Sequence, residues 1–310
     1  RMKTGQEVAI KVLDESKGLN WEYFRRELAM LIDLEEHPHT LTILDAQLDS
    51  SPPLIVMPLA EGGSLEKAVS TRGFSLQQKE KWLEQMVEAL DFIHSRGVIH
   101  SDLKPSNVFL VPREDNDIPL AKVLDFGIAK IQESELEEGQ QKLTRTGTVL
   151  GTPFYLAPEQ LTRKSSSDLT AAVDIYAFGV ILFQMLTGEL PIEEPTVAEQ
   201  MVAILTKNPP KLGDIREEFS GTALEIFIMR MLAKKPEARP ATISDAWEEF
   251  EAAASILVEE DTGADEALRK HWETAYQPFL EDDAEQSFLQ KWRWALLAAM
   301  VPLLGGIGWL

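Results

Sequence analysis

The pattern of apolar residues changes along this chain from short runs to long helical repeats, and this change restricts the fold more than any other feature. Residues 7–13, EVAIKVL, and residues 53–59, PLIVMPL, are short runs of β-branched and apolar side chains, which is typical of strands. Residues 76–96 and most of the chain beyond Ser165 repeat apolar side chains at helical spacing instead. Strands early and helices late predict an α+β fold, with a small mixed lobe followed by a larger helical lobe.

Composition excludes several classes of function. The 310 residues include no cysteine, which excludes disulfide frameworks, thiolate zinc sites and cysteine nucleophiles and leaves metal ions held by carboxylates. The formal net charge is −21, which argues against nucleic acid as a partner because phosphate binding needs clustered Lys and Arg. Much of the acid lies in residues 248–285, after the last well-patterned stretch.

Polar residues are concentrated in residues 98–110, VIHSDLKPSNVFL. A helix cannot continue through Pro105, so we expect Asp102 and Asn107 to lie on a tight loop between apolar anchors. Downstream, the apolar strand pattern of VLDFGIAK ends at Asp125. Two carboxylates and an amide at loop or strand ends suit Mg²⁺, which takes few protein ligands and keeps phosphate oxygens in its shell.

Lys11 interrupts the first apolar strand pattern. A lysine inside a buried strand is unfavourable unless an acid pairs with it. Residues 21–34, WEYFRRELAMLIDL, have an apolar helical face with Glu27 beside it. We therefore predict that Glu27 is the partner of Lys11.

Six short motifs together resemble a eukaryotic-like protein Ser/Thr kinase domain of the kind found in bacteria. They are VAIK at 8–11, HSDLKPSN at 100–107, DFG at 125–127, GTPFYLAPE at 151–159, DIYAFG at 174–179 and RP at 239–240. Each motif alone is weak, but six in the right order at the right spacing are specific. The resemblance covers roughly residues 1–255 and implies a two-lobed kinase fold, with the small lobe at residues 1–58 and the large lobe at residues 59–255.

The resemblance also implies a site for ATP and Mg²⁺. Lys11 would hold the α and β phosphates and pair with Glu27. Asp102 would accept or orient the proton of the attacking hydroxyl, and Lys104 would neutralise the γ-phosphate. Mg²⁺ would be bound by Asn107 and Asp125.

An adenine pocket is implied in the same way. It would be formed around Ala9, Met57, Leu59 and Leu110, with Met57 as the gatekeeper and the next three residues as the hinge. Pro58 removes one backbone donor from this hinge. The groups at Leu59 would therefore carry the adenine contact.

Other residues of the resemblance concern the acceptor. In the family, Lys104 and the GT that ends at Thr152 mark Ser/Thr rather than Tyr specificity, so protein substrates with Ser or Thr are implied. Glu159 and Arg239 match the buried ion pair that braces the substrate-binding segment.

Regulation is where the sequence departs from the family. Thr146 and Thr148 lie in the activation-loop region and are candidates for control by phosphorylation. The family's usual arginine before the catalytic aspartate is Ser101 here, so a phosphorylated loop would lack its main basic partner. His100 is predicted to be a packed, structural histidine.

Both ends of the chain carry expectations of their own. The glycine-rich turn that covers the phosphates of ATP in this family would lie before Arg1, so we expect either a truncated chain or weak nucleotide binding.

Residues 256–291 are predicted to form an acidic juxtamembrane linker. Residues 292–310 are predicted to begin a transmembrane helix, because the last 17 residues carry no charge. Two basic residues before this run would place the kinase domain in the cytoplasm of a bacterial cell, anchored by a single span.

Three classes of function fit these observations. The first is an active, membrane-anchored Ser/Thr kinase. The second is a nucleotide-binding pseudokinase or scaffold, which Ser101 and the absent glycine-rich turn favour. The third is a small-molecule phosphotransferase, which shares the two aspartates and the asparagine but lacks APE and its arginine partner, so Arg239 argues against it.

Overall fold

The computed structural model describes eight stretches of the chain, which are residues 7–12, 37–40, 43–59, 62–70, 76–113, 118–124, 153–162 and 168–258. Within these stretches the strands are β1 (Val8–Val12), β2 (Asp45–Gln47), β3 (Leu54–Pro58), β4 (Val108–Val111) and β5 (Leu120–Val123). The α-helices are α1 (Leu65–Ser70), α2 (Leu76–His94), α3 (Pro158–Thr162), α4 (Ala172–Thr187), α5 (Val197–Thr206), α6 (Leu212–Ile215), α7 (Ala223–Met231) and α8 (Ile243–Val258). The predicted α+β class is confirmed.

The small lobe contains an antiparallel sheet with the strand order β1–β3–β2. In its register, Ala9 pairs with Met57 and Lys11 pairs with Ile55. Directly paired residues of antiparallel strands lie on the same face of the sheet, so these four side chains share one face. Because Ile55 is fully buried, this is the face turned towards the protein interior.

The prediction that the first strand is buried does not hold for the opposite face of β1. Ile10 and Val12 are 56% and 59% exposed, and Lys11 is only partly buried. The interpretation of residues 7–13 as a buried strand is therefore wrong for the described part, because β1 pairs on one side only with another strand of the described sheet. The second predicted strand is confirmed as β3, in which Ile55 and Val56 are buried.

Helix α4 is the centre of the large lobe. Every residue from Val173 to Phe183 is buried, and a helix that is apolar on nearly all sides must be surrounded by other elements. Helix α7 packs closely on it at Gly179, where an added Cβ would lie 2.8 Å from the Cβ of Met231. Gly188 ends α4 in the left-handed conformation, with φ of 84°.

The long helix predicted before residues 98–110 is confirmed as α2. It ends at His94 and is followed by a turn to Gly97, whose φ is 74°. The indole of Trp82 on this helix is fully buried and donates a hydrogen bond from Nε1 to the carbonyl oxygen of Pro119 at 3.0 Å. This bond holds α2 against the strand pair β4–β5.

Residues 37–40 connect the strand pair β4–β5 with helix α2. The amide of Val123 in β5 donates to the carbonyl oxygen of His39 at 2.9 Å. The ring of His37 stacks on Phe92 of α2, with ring centroids 4.6 Å apart. Strand β5 is thereby fixed on both sides, and it leads directly to Leu124 beside the candidate site.

The C-terminal predictions lie mostly outside the described residues. Helix α8 continues to Val258, so the boundary predicted at residue 255 lies within this helix. Among the stretches described, no helix is long and apolar enough to cross a membrane. The predicted membrane segment at residues 292–310 is not among those stretches.

Candidate active site

Asp102 is at the centre of a group of polar side chains on the loop between α2 and β4. The Nζ of Lys104 donates to both carboxylate oxygens of Asp102, at 3.0 and 2.8 Å. The Nδ2 of Asn107 donates to the carbonyl oxygen of Asp102 at 2.8 Å and to its Oδ2 at 3.1 Å. About a third of the Asp102 side chain remains exposed, so a ligand can approach the carboxylate.

The predicted tight loop is present. Pro105 begins a single 3₁₀ turn that ends at Asn107, where its fixed φ and missing N–H are compatible with a first helical position. The backbone carbonyl of Asn107 accepts from the amide of Leu124 at 2.8 Å. This bond brings the residue that precedes Asp125 next to Asn107, although Asp125 itself lies outside the described residues.

Asp174 holds the start of this loop from helix α4. Its carboxylate is fully buried and accepts from the backbone amides of His100 and Ser101, both at 2.8 Å. The Nε2 of His94 lies 2.7 Å from Oδ2 of the same carboxylate. Breaking these bonds would leave buried polar groups unpaired, which costs free energy. Asp174 therefore fixes the backbone immediately before Asp102.

His100 is a structural residue, as predicted. It is fully buried, and its Nε2 lies 2.7 Å from the carbonyl oxygen of Leu124, which can only accept a hydrogen bond. Its Nδ1 accepts from the amide of Asp102 at 3.3 Å. These two contacts assign the proton to Nε2 in the neutral ring. The ring thereby ties Asp102 to the end of β5.

Ser101 has a strained backbone, with φ of 60°. Left-handed φ is uncommon for a residue with a side chain and persists where the surroundings determine it. Here the amide is bonded to Asp174 and the carbonyl oxygen accepts from Nε2 of Gln160 at 2.7 Å. Within the described part of the chain, its buried hydroxyl oxygen has no hydrogen-bond partner.

The predicted ion pair between Glu159 and Arg239 is formed by two hydrogen bonds. Nη1 of Arg239 donates to Oε1 of Glu159 at 2.6 Å, and Nη2 donates to Oε2 at 2.9 Å. The guanidinium also donates to the carbonyl oxygens of Ala172 and Ala233 and lies 4.9 Å from the ring centroid of Tyr176. Helix α3 is thereby fixed to α4 and to the turn after α7.

Only some of the residues predicted to contact the nucleotide lie on one surface. Ala9, Lys11 and Met57 share the inward face of the small sheet, whereas Leu59 follows the sheet and is exposed. Leu110 differs from expectation, because its side chain is 4% exposed and packs in the core of the large lobe. Successive side chains of a strand alternate between faces, so half-buried Phe109 lies on the opposite face of β4.

Five predicted residues lie outside the described part of the chain. They are Glu27, Asp125, Thr146, Thr148 and Thr152. Their roles stay predictions.

Comparison with known proteins identifies the family. Residues 1–250 match the protein kinase domain. The chain belongs to the protein kinase family. Two kinases of Myxococcus xanthus, serine/threonine-protein kinases Pkn1 and pkn3, are each 37% identical to it over 242 and 251 residues, which are 77% and 80% of this chain. The aligned parts are 33% and 44% of those kinases, so this chain spans less than half the length of these relatives.

A solved kinase structure has the same fold. It is that of Rad53 1–466 in complex with AMP-PNP, with a TM-score of 0.61 and 24% identity, covering 79% of this chain and 58% of that one. Similarity at this identity shows the fold alone. It confirms the two-lobed kinase fold expected from the motifs.

Three residues of this kinase domain were not assigned a role from the sequence. Asp174 belongs to the DIYAFG motif and is the one carboxylate in a mostly apolar helix. A buried carboxylate needs hydrogen-bond donors, so the sequence does contain a sign of its role. Gln160 ties the segment before α3 to Ser101 and carries no comparable signal. The sequence does not show which face of β4 packs against the core, so it cannot distinguish Phe109 from Leu110 as the residue that faces the nucleotide.

Proposed function

We propose that this chain transfers the γ-phosphate of Mg-ATP to Ser and Thr hydroxyls of proteins. The observation that carries the proposal is the Asp102 carboxylate with Lys104 and Asn107 bonded to it, on a loop held by buried Asp174. Phosphoryl transfer depends mainly on positioning and on charge stabilisation, and a fixed carboxylate beside a cation supplies both.

Asp102 and Lys104 have complementary roles in this proposal. Asp102 orients the attacking hydroxyl and accepts its proton. Lys104 is within hydrogen-bond distance of that carboxylate, so its ammonium group is placed to neutralise the γ-phosphate as the acceptor approaches. One side chain thereby links the base to the transferred group.

Asn107 fits a role as a ligand of a divalent cation. Its Nδ2 donates to two oxygens of Asp102, which fixes the orientation of the amide and leaves Oδ1 outside these bonds. Asp125 follows Leu124, whose amide is bonded to the Asn107 carbonyl oxygen. An amide and a carboxylate oxygen are hard donors that suit Mg²⁺, which would neutralise phosphate charge when bound.

The nucleotide would lie against the inward face of the small sheet. Ala9 and Met57 are opposite each other on this face, and Lys11 is two residues further along β1. Lys11 would hold the phosphates, with Glu27 as its partner. We assign the adenine contact on the large lobe to Phe109 rather than Leu110, since the side chain of Leu110 is taken up by the core.

The proposed acceptor specificity follows the family, whereas the proposed regulation departs from it. Lys104 and Thr152 support Ser or Thr as acceptor, and the two Myxococcus relatives are named as serine/threonine-protein kinases. Ser101 replaces the family's arginine, so phosphorylation at Thr146 or Thr148 would have a weaker regulatory effect than in kinases that keep it.

Membrane anchoring forms a separate part of the proposal. The uncharged run at residues 294–310 supports a single-pass anchor, and the basic residues before it support a cytoplasmic position for the kinase domain. Addition of this run to a soluble reporter tests the anchor: the reporter should sediment with membranes and resist extraction by high salt. Recovery in the soluble fraction would remove this part of the proposal.

The transfer itself is tested with γ-labelled ATP, Mg²⁺ and a mixture of protein substrates, for this chain and for the complete reading frame that contains it. Acid hydrolysis should yield labelled phosphoserine or phosphothreonine. Label on small molecules alone would contradict the protein kinase assignment. Nucleotide binding without transfer by either form would support the pseudokinase or scaffold alternative.

A further inference from the structure

Residues 62–64, which follow the predicted hinge, make a short main-chain contact with strand β4. The amide of Leu110 donates to the carbonyl oxygen of Gly63 at 2.9 Å, and Ser64 pairs with Phe109 in an antiparallel bridge. We call residues 62–64 the post-hinge segment. Strand β5 pairs with β4 as well, so β4 has a main-chain neighbour on both of its edges.

Gly62 lies closer to β4 than a residue with a side chain could. A Cβ added to Gly62 would lie 1.5 Å from the carbonyl oxygen of Leu110 and 3.0 Å from Cδ of Pro112. Carbon and oxygen atoms that touch without a bond are about 3.3–3.6 Å apart, so a side chain here would force the two segments apart. The φ of Gly62 is not left-handed, unlike that of Gly63. The position therefore requires the missing Cβ and not a special backbone conformation.

The post-hinge segment, rather than β4, would move to make room for a side chain. Strand β4 is fixed by its register with β5, and Leu110 is buried in the core, whereas Gly62 is exposed. Three residues separate Gly62 from Pro58, the last residue of β3. A displacement of Gly62 away from β4 would therefore be transmitted to the end of β3 and to Met57.

We propose that Gly62 is a positioning residue for the nucleotide, because its close approach to Leu110 sets the distance between the two walls of the adenine slot. This inference rests on the proposed function, in which Ala9 and Met57 form one wall and Phe109 forms the other. Dispersion contacts weaken within fractions of an ångström, so an adenine ring contacts both walls well only at one separation. Gly62 acts through the strands that carry these walls and does not itself contact the ring.

Gly62→Ala tests the proposal, with Gly221→Ala as the matched control. Gly221 has a left-handed φ of 71°, and within the described part of the chain an added Cβ there would meet nothing within 4 Å. This control strains the backbone without displacing a neighbour. Calorimetry of the full chain should show at least about a tenfold loss of adenosine affinity for Gly62→Ala. Gly221→Ala should lower Tm and keep the adenosine affinity of the parent.

The kinetics of transfer distinguish positioning from a general loss of structure. In Gly62→Ala, KM for ATP should rise by about the same factor as the Kd for adenosine, whereas kcat at saturating ATP should stay within about twofold of the parent. Unchanged adenosine affinity would overturn the proposal, as would a loss in kcat without a change in KM. If the parent binds adenosine but transfers no phosphate, the proposed function fails and the adenosine affinities still decide the role of Gly62. If the parent binds neither adenosine nor ATP, the slot and the role of Gly62 are both rejected.

A measurement on the parent alone decides the case in which Gly62→Ala does not fold. The amide hydrogen of Leu110 is bonded to Gly63 and exchanges with solvent when the post-hinge segment separates from β4. If this separation opens the slot, adenosine at about ten times its Kd should slow the exchange about tenfold. The amide of Gly188, bonded to the carbonyl oxygen of Gln184 at the end of α4, should exchange at an unchanged rate. Exchange at Leu110 that adenosine does not slow would overturn the proposal, and equal slowing at Gly188 would overturn it as well, since it would show a general stabilisation.

Discussion

The loop between α2 and β4, which carries Asp102, and the small sheet are held in place by different kinds of interaction. The loop is bonded by buried side chains that are distant in sequence, such as Asp174 and Gln160, which contact Ser101 from two sides. The sheet is held by main-chain pairing, and one face of β1 is exposed at Ile10 and Val12. The residues proposed to contact the acceptor are therefore fixed before a substrate binds, whereas the residues proposed to contact the nucleotide depend on a thin sheet. Substitutions in the two regions should differ accordingly.

Removal of Asp174 should have the largest effect on stability. Asp174→Ala leaves the buried amides of His100 and Ser101 without their acceptor, so we expect a loss of about 3–5 kcal/mol in the free energy of unfolding. The orientation of Asp102 would be lost as well, and kcat should fall at least about a hundredfold. Urea denaturation and single-turnover transfer measure the two effects.

Asp45→Ala in β2 is the matched control, because this carboxylate is exposed and bonds only to Ala46 and Gln47 among the contacts described. It should change stability by less than about 0.5 kcal/mol. Similar losses for Asp174→Ala and Asp45→Ala would remove the distinction between the loop and the sheet.

The Glu159–Arg239 pair should have the next largest effect. Glu159→Ala leaves a fully buried guanidinium without its carboxylate, and the expected loss is about 3 kcal/mol. Glu159→Gln retains one acceptor for Arg239 and should be affected less. Denaturant titration of both variants checks this order, and a loss below about 1 kcal/mol for Glu159→Ala would show that the carbonyl contacts of Arg239 are sufficient.

Within the small sheet, the two faces should respond differently to truncation. Ile55→Ala removes a fully buried side chain and should lower the free energy of unfolding by about 2–4 kcal/mol. Ile10→Ala removes a mostly exposed one and should change it by less than about 0.5 kcal/mol. Equal effects would mean that the face of β1 that carries Ile10 is covered in solution.

Acid should weaken the junction between helix α2 and β5. Burial lowers the pKa of both His37 and His39 below 6.5, with Lys122 and Arg96 also lowering that of His37 and Glu88 opposing the change. As the pH falls below 6.5, these histidines take up protons in the unfolded chain before they do so in the folded chain. The free energy of unfolding therefore decreases. The nitrogen Nδ1 of His37 also accepts from the amide of His39, and protonation there would break this bond.

The double variant His37→Phe and His39→Gln tests this effect, since the phenyl ring can still stack on Phe92. Its stability should decrease less than that of the parent between pH 7.5 and pH 5.5. The same decrease in both proteins would assign the acid sensitivity to other groups.

The sequence predicted the grouping of Asp102, Lys104 and Asn107 better than the contacts that support it. These three residues were expected to lie together because they are close in sequence and Pro105 restricts their backbone, and the structure brings them together. Their catalytic roles stay predictions. The contact from Asp174 joins residues 73 and 74 positions apart, which local patterns cannot show.

Two predictions about the strands were wrong for a physical reason. Successive side chains of a strand point to opposite faces, but which face is covered depends on elements from distant parts of the sequence. Leu110 was therefore assigned to the adenine pocket although it lies in the core, and β1 was expected to be buried although Ile10 and Val12 are exposed.

Transfer of phosphate by Asp102→Asn tests the central claim most directly. The amide keeps the shape of the side chain but cannot accept the proton of the acceptor hydroxyl. With γ-labelled ATP, Mg²⁺ and a protein substrate, the variant should lose at least about a hundredfold in kcat while nucleotide affinity, measured in parallel, stays within about twofold of the parent. Equal transfer by the parent and Asp102→Asn would contradict the assignment of this loop as the site of phosphoryl transfer.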